Sequence, residues 1–330
     1  MAAVVEAHVP EVVDLSQLGK GELNALLDEE IACWSRTLDW DFETTASIIR
    51  RFVDVQALSG FALIVDSRVA GYVYYVAEDR KGLIGDLYLL AEHRSWENEN
   101  LLLGSAIEAL VRHHRAARVE AQMMLSHYPR RTPAPFARHL RAHQRNYMIH
   151  EMNNLDSLPA RALGDTVRID QWQERFQEDA AHAIAGAYRG HIDGDINDQY
   201  RSPAGARRFL LNIVQYPGCG IFFEPASWLA WIRESHMLCG LSLTSLVARD
   251  VGHITQICVL PGVQGTGTGY ELMRRSLVSL SERGCRRTSL TVTAANHSAV
   301  RLYERMDYRT WRTFCAMVWD GLDLKEIDHA

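Results

Sequence analysis

The sequence contains no C-x-x-C pair, and its six cysteines (33, 219, 239, 258, 285 and 315) form no compact Cys/His group with zinc-site spacing. That excludes a zinc module. Several of these cysteines sit in apolar runs, where a free thiol behaves as a small hydrophobe. No run approaches the ~20 apolar residues that cross a bilayer, so no membrane association is expected. The first residues, MAAVVEAHVPEVVDL, lack a basic stretch followed by a long apolar core and do not read as a secretory signal. A cytoplasmic location follows as the expectation. Positive charge is also in short supply: the formal net charge is −6. A nucleic-acid binder more often carries a basic stripe or a basic domain, so nucleic acid is not expected as a partner. Low-complexity tracts are missing too.

What is present is a soluble globular composition, 47% hydrophobic and 23% charged, in 330 residues. That length suits two domains better than one core. In the second half, a short strand at Val167–Ile169 precedes a helix from Trp172 to about Tyr188. After the polar loop Arg189–Ser202, a second helix is predicted near Arg207–Val214. Three β-rich runs follow, Trp228–Arg233, Met237–Ala248 and His253–Val259. Leu272, Met273, Leu277 and Leu280 then recur at helical spacing within 270–283, and Gly284 is a natural stop. Ser289–Thr293 alternates as a strand, Ser298–Arg305 reads as a short helix, and Thr313–Trp319 as a closing strand. The first half repeats this order more faintly: a hairpin of Phe61–Val65 and Val69–Ala77, a strand Leu83–Leu90 and a helix Leu101–Arg115. Sliding by 170 residues places Ile84 on Ile254, Leu87 on Ile257, Leu89 on Val259 and Leu102 on Leu272. A fixed offset of this kind points to duplication. The expected division is 1–160 and 165–330, with a polar linker at Asn153–Gly164.

The run Val259-Leu-Pro-Gly-Val-Gln264-Gly265-Thr266-Gly267-Thr268-Gly269-Tyr270 joins a predicted strand to a predicted helix. Alternate glycines let the backbone take positive φ and let a ligand approach closely. Successive N–H groups beside a helix N-terminus form an anion nest, for which pyrophosphate is a natural guest. A flexible turn is the plain alternative. No Rossmann G-x-G-x-x-G and no Gly-Lys-Ser/Thr P-loop is present. Downstream, Asn296-His-Ser-Ala299-Val-Arg-Leu302-Tyr303-Glu304-Arg-Met306-Asp307-Tyr308 forms a second motif.

The first run resembles the acetyl-CoA signature of the GNAT superfamily of N-acetyltransferases, Gln or Arg, two residues, Gly, one residue, Gly or Ala. The second resembles that family's N-x-x-A-x-x-L-Y-E-x-x-G-F, with Met306-Asp307-Tyr308 where Leu-Gly-Phe is usual. The resemblance covers about 172–319 and implies an α/β fold, a mixed central sheet flanked by helices, in two tandem GNAT-like domains.

The resemblance further implies acetyl-CoA as co-substrate, with no metal. Backbone at Ile257, Cys258 and Val259 would hold pantetheine by strand addition. Gln264, Gly265, Thr266, Gly267, Thr268, Gly269 and Tyr270 would hold pyrophosphate, and Asn296 would contact the cofactor or simply cap a helix. Tyr303 matches the tyrosine that protonates the leaving thiolate, although it also lies on an apolar helical stripe. A lysine-like amine, with a reference pKa near ~10.4, must lose a proton before attack. One base position in the family falls at or near His253, whose residue type suits neutral pH; the other holds Thr291, which cannot serve. Base action through water is an equal alternative. His191, Asp193, Asp195 and Tyr200 form a loop able to receive a cationic amine, or a solvated surface loop; its spacing lacks the order of a calcium-binding loop.

Under the offset, the glycine loop maps onto Arg94-Ser95-Trp96-Glu97-Asn98-Glu99. No glycine remains and two acids would face a polyanion. The first half therefore reads as a degenerate copy that no longer binds acetyl-CoA. The expected activity is acetyl transfer to a primary amine of a small molecule or peptide. Two alternatives stay open: an acyl-CoA-binding regulatory or scaffolding protein without turnover, and an acyltransferase for longer chains. The sequence leaves the oligomeric state open.

Overall fold

The computed structural model describes residues 9–126, 134–216 and 218–327. In chain order the elements begin β1 (Glu11–Asp14), α1 (Asn24–Leu38), α2 (Glu43–Asp54), β2 (Gly60–Val65), β3 (Arg68–Glu78), β4 (Lys81–Leu89), α3 (Trp96–His114) and β5 (Arg118–Gln122). Next come β6 (Leu140–Glu151), β7 (Val167–Gln171), α4 (Gln177–Ala187), α5 (Ile192–Ile196), α6 (Pro203–Gln215), β8 (Ile221–Phe222), β9 (Trp228–Ile232), β10 (Leu238–Ala248) and β11 (Val251–Val259). The chain closes with α7 (Thr268–Glu282), β12 (Arg287–Thr293), α8 (His297–Arg305), β13 (Arg309–Asp320) and α9 (Leu324–Ile327). None of the helices among the described residues is long and apolar enough to cross a membrane.

The chain divides into two compact units, the first comprising 1–38, 42–143 and 314–330, the second 39–41 and 144–313. This departs from the expected cut near 160 in two ways. Residues 145–151 of β6 pair antiparallel with β12, Glu151 opposite Arg287 and Arg145 opposite Thr293. Residues 316–320 of β13, read from sequence as closing the second half, pair instead with β5, Ala316 opposite Gln122. The first unit thus takes a strand from the end of the chain, and the second unit's main segment begins at 144 rather than 165. Alternation within a strand says which face is apolar but not which neighbour it will meet. Nor is Asn153–Gly164 a loose linker. Met152 and Leu158 are buried in the second unit's core with Met273, Leu277 and Tyr303.

In the first unit β1, β2, β3 and β4 pair antiparallel in succession, and β4 pairs parallel with β5. The β2–β3 turn places Asp66 and Ser67 at φ 49° and 61°, the twisted geometry that suits a two-residue hairpin. Leu102, Leu103, Ala106, Ile107 and Leu110 of α3 bury against Leu63, Val73, Leu87 and Val119 of the sheet. Beneath α1, the fully buried Glu30 accepts from Tyr72 Oη at 2.9 Å and from Trp34 Nε1 at 3.2 Å. Desolvation, then Asp86, raises its pKa well above the usual carboxylate range.

In the second unit β6 neighbours β12, β12 pairs parallel with β11, and β10, β9 and β7 continue antiparallel, with β8 also on β10. The amphipathic stripe of α7 covers one face: Met273, Leu277 and Leu280 pack on Ile254, Leu290 and Val292. Helices α4 and α6 cover the other, where Ala180, Ile184 and Leu210 meet Leu241, Leu243 and Cys258. Small alanines let α4 approach the sheet closely.

The 170-residue offset extends to an irregularity. Between β3 and β4 the register shifts as Tyr74 pairs Asp86 and Tyr75 pairs Ile84, leaving Gly85 without a partner residue. Between β10 and β11, Leu243 pairs Gln256 and Thr244 pairs Ile254, leaving Thr255 in the same position. At Gly85 a Cβ would lie 2.0 Å from the Tyr74 ring. Bulges bend a strand away from its neighbour. In both units the parallel pairing stops just before the bulge, at Ile84–Ala121 and at Ile254–Leu290.

Candidate active site

Beyond Ile254, β11 runs five residues further, to Val259, without pairing to β12. Ile257, Cys258 and Val259 thus pair with β10 but, among the described residues, with no strand on the other side. Cys258 itself points into the core against α4, where burial pushes its thiol up to about 12. It is no nucleophile at neutral pH.

The open edge runs into the glycine loop. Gln264 Nε2 donates to the carbonyl of Val259 at 3.2 Å, tying the loop to the strand end. Thr266 Oγ1 donates to Val263 O and lies 2.8 Å from Thr268 Oγ1. Gly265 and Gly267 take φ of 80° and 93°, a region closed to most L residues. Gly267 is the N-cap of α7 and supplies no side-chain cap to the first turn. The amides of Thr268, Gly269 and Tyr270 thus retain the N-terminal donor character that attracts an anion. Strand end, positive-φ loop and uncapped helix start thus follow one another without a break.

Beside this edge, α8 carries Tyr303. Its ring is buried with Met306 and Tyr308. Burial first, and then the Asp193 carboxylate, raise its pKa, while Arg145 lowers it. The net shift is upward, so the phenol stays protonated at neutral pH. Asn296 is the N-cap of α8, accepting from Ala299 N at 3.2 Å, and its Nδ2 lies 3.3 Å from His191 Nε2.

Of the loop residues His191, Asp193, Asp195 and Tyr200, the first two and Tyr200 lie together and Asp195 does not. Asp193, at the start of α5, accepts from Thr293 Oγ1 and lies 3.4 Å from Arg145 Nη1. His191 caps α5, its Nδ1 accepting from Asp193 N at 3.2 Å. Tyr200 stacks on Tyr188 with ring centroids 4.5 Å apart. Asp195, by contrast, faces Arg201 at 3.1 Å on the surface, away from Asp193. Helical spacing explains the split: residues two apart on α5 point to different sides.

His253 lies on β11 four residues before Ile257, and its side chain is buried, only 5% exposed. Its Nδ1 lies 2.8 Å from Ser289 Oγ, and its ring packs against Trp40 and Tyr147. Burial depresses its pKa to about 3. A ring this reluctant to take a proton is poorly suited to strip one from an amine. Residue type alone could not disclose that burial.

Sequence reasoning missed Arg145, Thr293 and Tyr188. Arg145 reaches Thr291 Oγ1 at 3.2 Å as well as Asp193, and Tyr188 Oη donates to Ile257 O at 3.3 Å. Arg145 lies on β6, whose pairing with β12 is a tertiary matter, so no local signal marked it. Tyr188 ends an apolar helix and reads as core.

Residues 195–308 match the acetyltransferase (GNAT) family. That match covers about a third of the chain, from α5 to the end of α8. A mycothiol acetyltransferase of Saccharopolyspora erythraea is 30% identical over 92 residues, 28% of this chain and 30% of that protein. One from Thermobispora bispora is 28% identical over 161 residues, 47% of this chain and 50% of that protein. The similarity spans half or less of these relatives' length. Among solved structures, a GCN5-related N-acetyltransferase from Sphaerobacter thermophilus has a TM-score of 0.64 at 16% identity, covering 97% of this chain and 98% of that one. A tandem GNAT protein from the clavulanic acid biosynthesis pathway has a TM-score of 0.56 at 13% identity, covering 95% and 99%. At those identities the likeness is one of GNAT fold.

Proposed function

We propose that the second unit is an acetyl-CoA-dependent N-acetyltransferase acting on a primary amine of a small molecule or peptide. One observation carries this reading: the unpaired edge of β11 leads straight into two positive-φ glycines and a helix start without a side-chain cap. When bound, acetyl-CoA supplies the thioester carbonyl that is attacked and the thiolate that leaves. Backbone at Ile257–Val259 would hold the pantetheine arm. Amides of Gly265–Tyr270 would hold the pyrophosphate, with Gln264 bracing the loop and Asn296 setting the start of α8.

Tyr303, kept protonated by burial, is the proton donor to the leaving sulfur. Asp193, fixed by Arg145 and Thr293, is the carboxylate that orients a cationic amine, with His191 and Tyr200 beside it. Since His253 is held neutral in the core, the amine's proton leaves through water. The first unit reads as a copy retired from cofactor binding. There Arg94 Nε keeps the bond to Leu89 O at 3.0 Å, matching Gln264 to Val259, but Ser95 caps its helix by accepting from Asn98 N at 3.1 Å. That helix begins at Trp96, two residues earlier than the offset predicts from α7, so loop amides have become helical turn.

The test is thiol release from acetyl-CoA across a panel of primary amines, with Gly267→Glu as control. Turnover with at least one amine, and loss of coenzyme A affinity in the variant, is the expected outcome. Unchanged affinity in Gly267→Glu sinks the reading.

A further inference from the structure

The segment leading into β7 runs beside the glycine loop and is tied to it at three points. Tyr270 Oη donates to Pro159 O at 3.0 Å, and Arg161 N donates to Glu271 Oε2 at 3.1 Å. The Arg161 guanidinium lies over the Tyr270 ring, 4.9 Å from its centroid. A Cβ placed on Gly267 would meet Arg161 Cδ at 3.4 Å and Nη1 at 3.9 Å. The cation therefore stands at the wall of the nest.

The charge at that wall is not neutralised by the nearby acid. Glu271, buried in α7, takes Arg274 through both oxygens at 2.8 and 2.9 Å, and Arg275 at 3.1 Å. From Arg161 it accepts only the backbone N–H. No carboxylate among the described residues pairs with the Arg161 guanidinium, while stacking on Tyr270 holds its plane. A guanidinium oriented and left unpaired beside positive-φ glycines and an uncapped helix start matches a diphosphate, each of whose phosphates spreads one negative charge over two non-bridging oxygens.

We infer that Arg161 is a pyrophosphate-binding residue, lying against Gly267 beside the first turn of α7 at the nest of Gly265–Gly269. The inference rests on the acetyl-CoA reading above and adds to it a charged contact contributed from outside the signature motif. It commits to the diphosphate rather than the ribose phosphate of coenzyme A, because the side chain lies against Gly267.

The full-length chain is titrated calorimetrically with coenzyme A, with dephospho-coenzyme A and with pantetheine, as wild type, Arg161→Gln and Arg161→Lys. Loss of a charge-assisted contact is expected to weaken both nucleotide ligands by about tenfold or more in Arg161→Gln. Pantetheine, which carries no phosphate, is expected to bind unchanged, and Arg161→Lys to recover part of the loss. Equal coenzyme A affinity in Arg161→Gln overturns the inference. So does a loss confined to coenzyme A, which would assign Arg161 to the ribose phosphate, and so does an equal loss for pantetheine, which would make it a structural prop for Tyr270. If wild type binds no coenzyme A at all, the acetyl-CoA reading fails first.

Discussion

Tyr303 and His253 were singled out together in the sequence, and burial gives them opposite fates. Desolvation penalises whichever form is charged, so it keeps a tyrosine protonated and a histidine neutral. For Tyr303 that is what an acid needs. Tyr303→Phe is expected to lower kcat roughly a hundredfold, a typical size for losing a positioned proton donor, while coenzyme A affinity stays within twofold. Steady-state thiol release and calorimetry together separate the two effects; a kcat within twofold of wild type removes the role. For His253 the consequence is in stability. Its folded pKa is about 3 against an ordinary 6.5, so the unfolded chain binds the proton more readily. The contribution is complete above pH 6.5 and is lost as pH falls towards 3, by up to about 5 kcal/mol. His253→Gln is expected to flatten that acid limb in urea unfolding followed from pH 7 to pH 4. An identical limb in the variant would show that other groups govern it.

Helix α8 and the loop before α7 show how far a motif carries at the scale of an element. Glycine spacing and the Asn-x-x-Ala pattern gave the β11–loop–α7 and α8 units almost whole, because capping and positive-φ requirements are local. The departure at Asp307 was also legible: the residue takes φ 65° just past the end of α8. An L residue there is strained, Asp less than most. Asp307→Gly is therefore expected to raise stability by at most about 1 kcal/mol, with a Tm rise of a few degrees and no change in turnover. A lower Tm would mean that the aspartate side chain holds something the backbone argument omits. Beyond single motifs the sequence was weaker. The short strands β1 and β5 left little local trace, and α1, α2 and β6 went unread although they run to 15, 12 and 12 residues. Asp195 was grouped with Asp193 by proximity in sequence, and the turn of α5 separates them.

For the whole molecule, the repeated bulge is the strongest sign that two units share one plan, and the loops are where they part. Under the offset Ser95 and Glu97 stand opposite Gly265 and Gly267, and Ser95 caps its helix where Gly267 supplies no side-chain cap. Calorimetry on the full chain is accordingly expected to find one coenzyme A per chain, falling to none in Gly267→Glu. A stoichiometry of two, or one remaining site in the variant, would restore the first unit as a cofactor site.

Local chemistry is what the chain's letters determined unaided: the glycine loop, the Asn296–Tyr308 motif, the helix stripes and the 170-residue repeat all rest on interactions within a few residues or on pattern. Only tertiary structure decided that β6 lies against β12 and the end of β13 against β5, that Arg145 meets Asp193, and that His253 is sealed among Trp40, Tyr147 and Ser289. Strand partners and burial are set by surfaces brought together from distant parts of the chain, and a residue's protonation follows its surroundings more than its type.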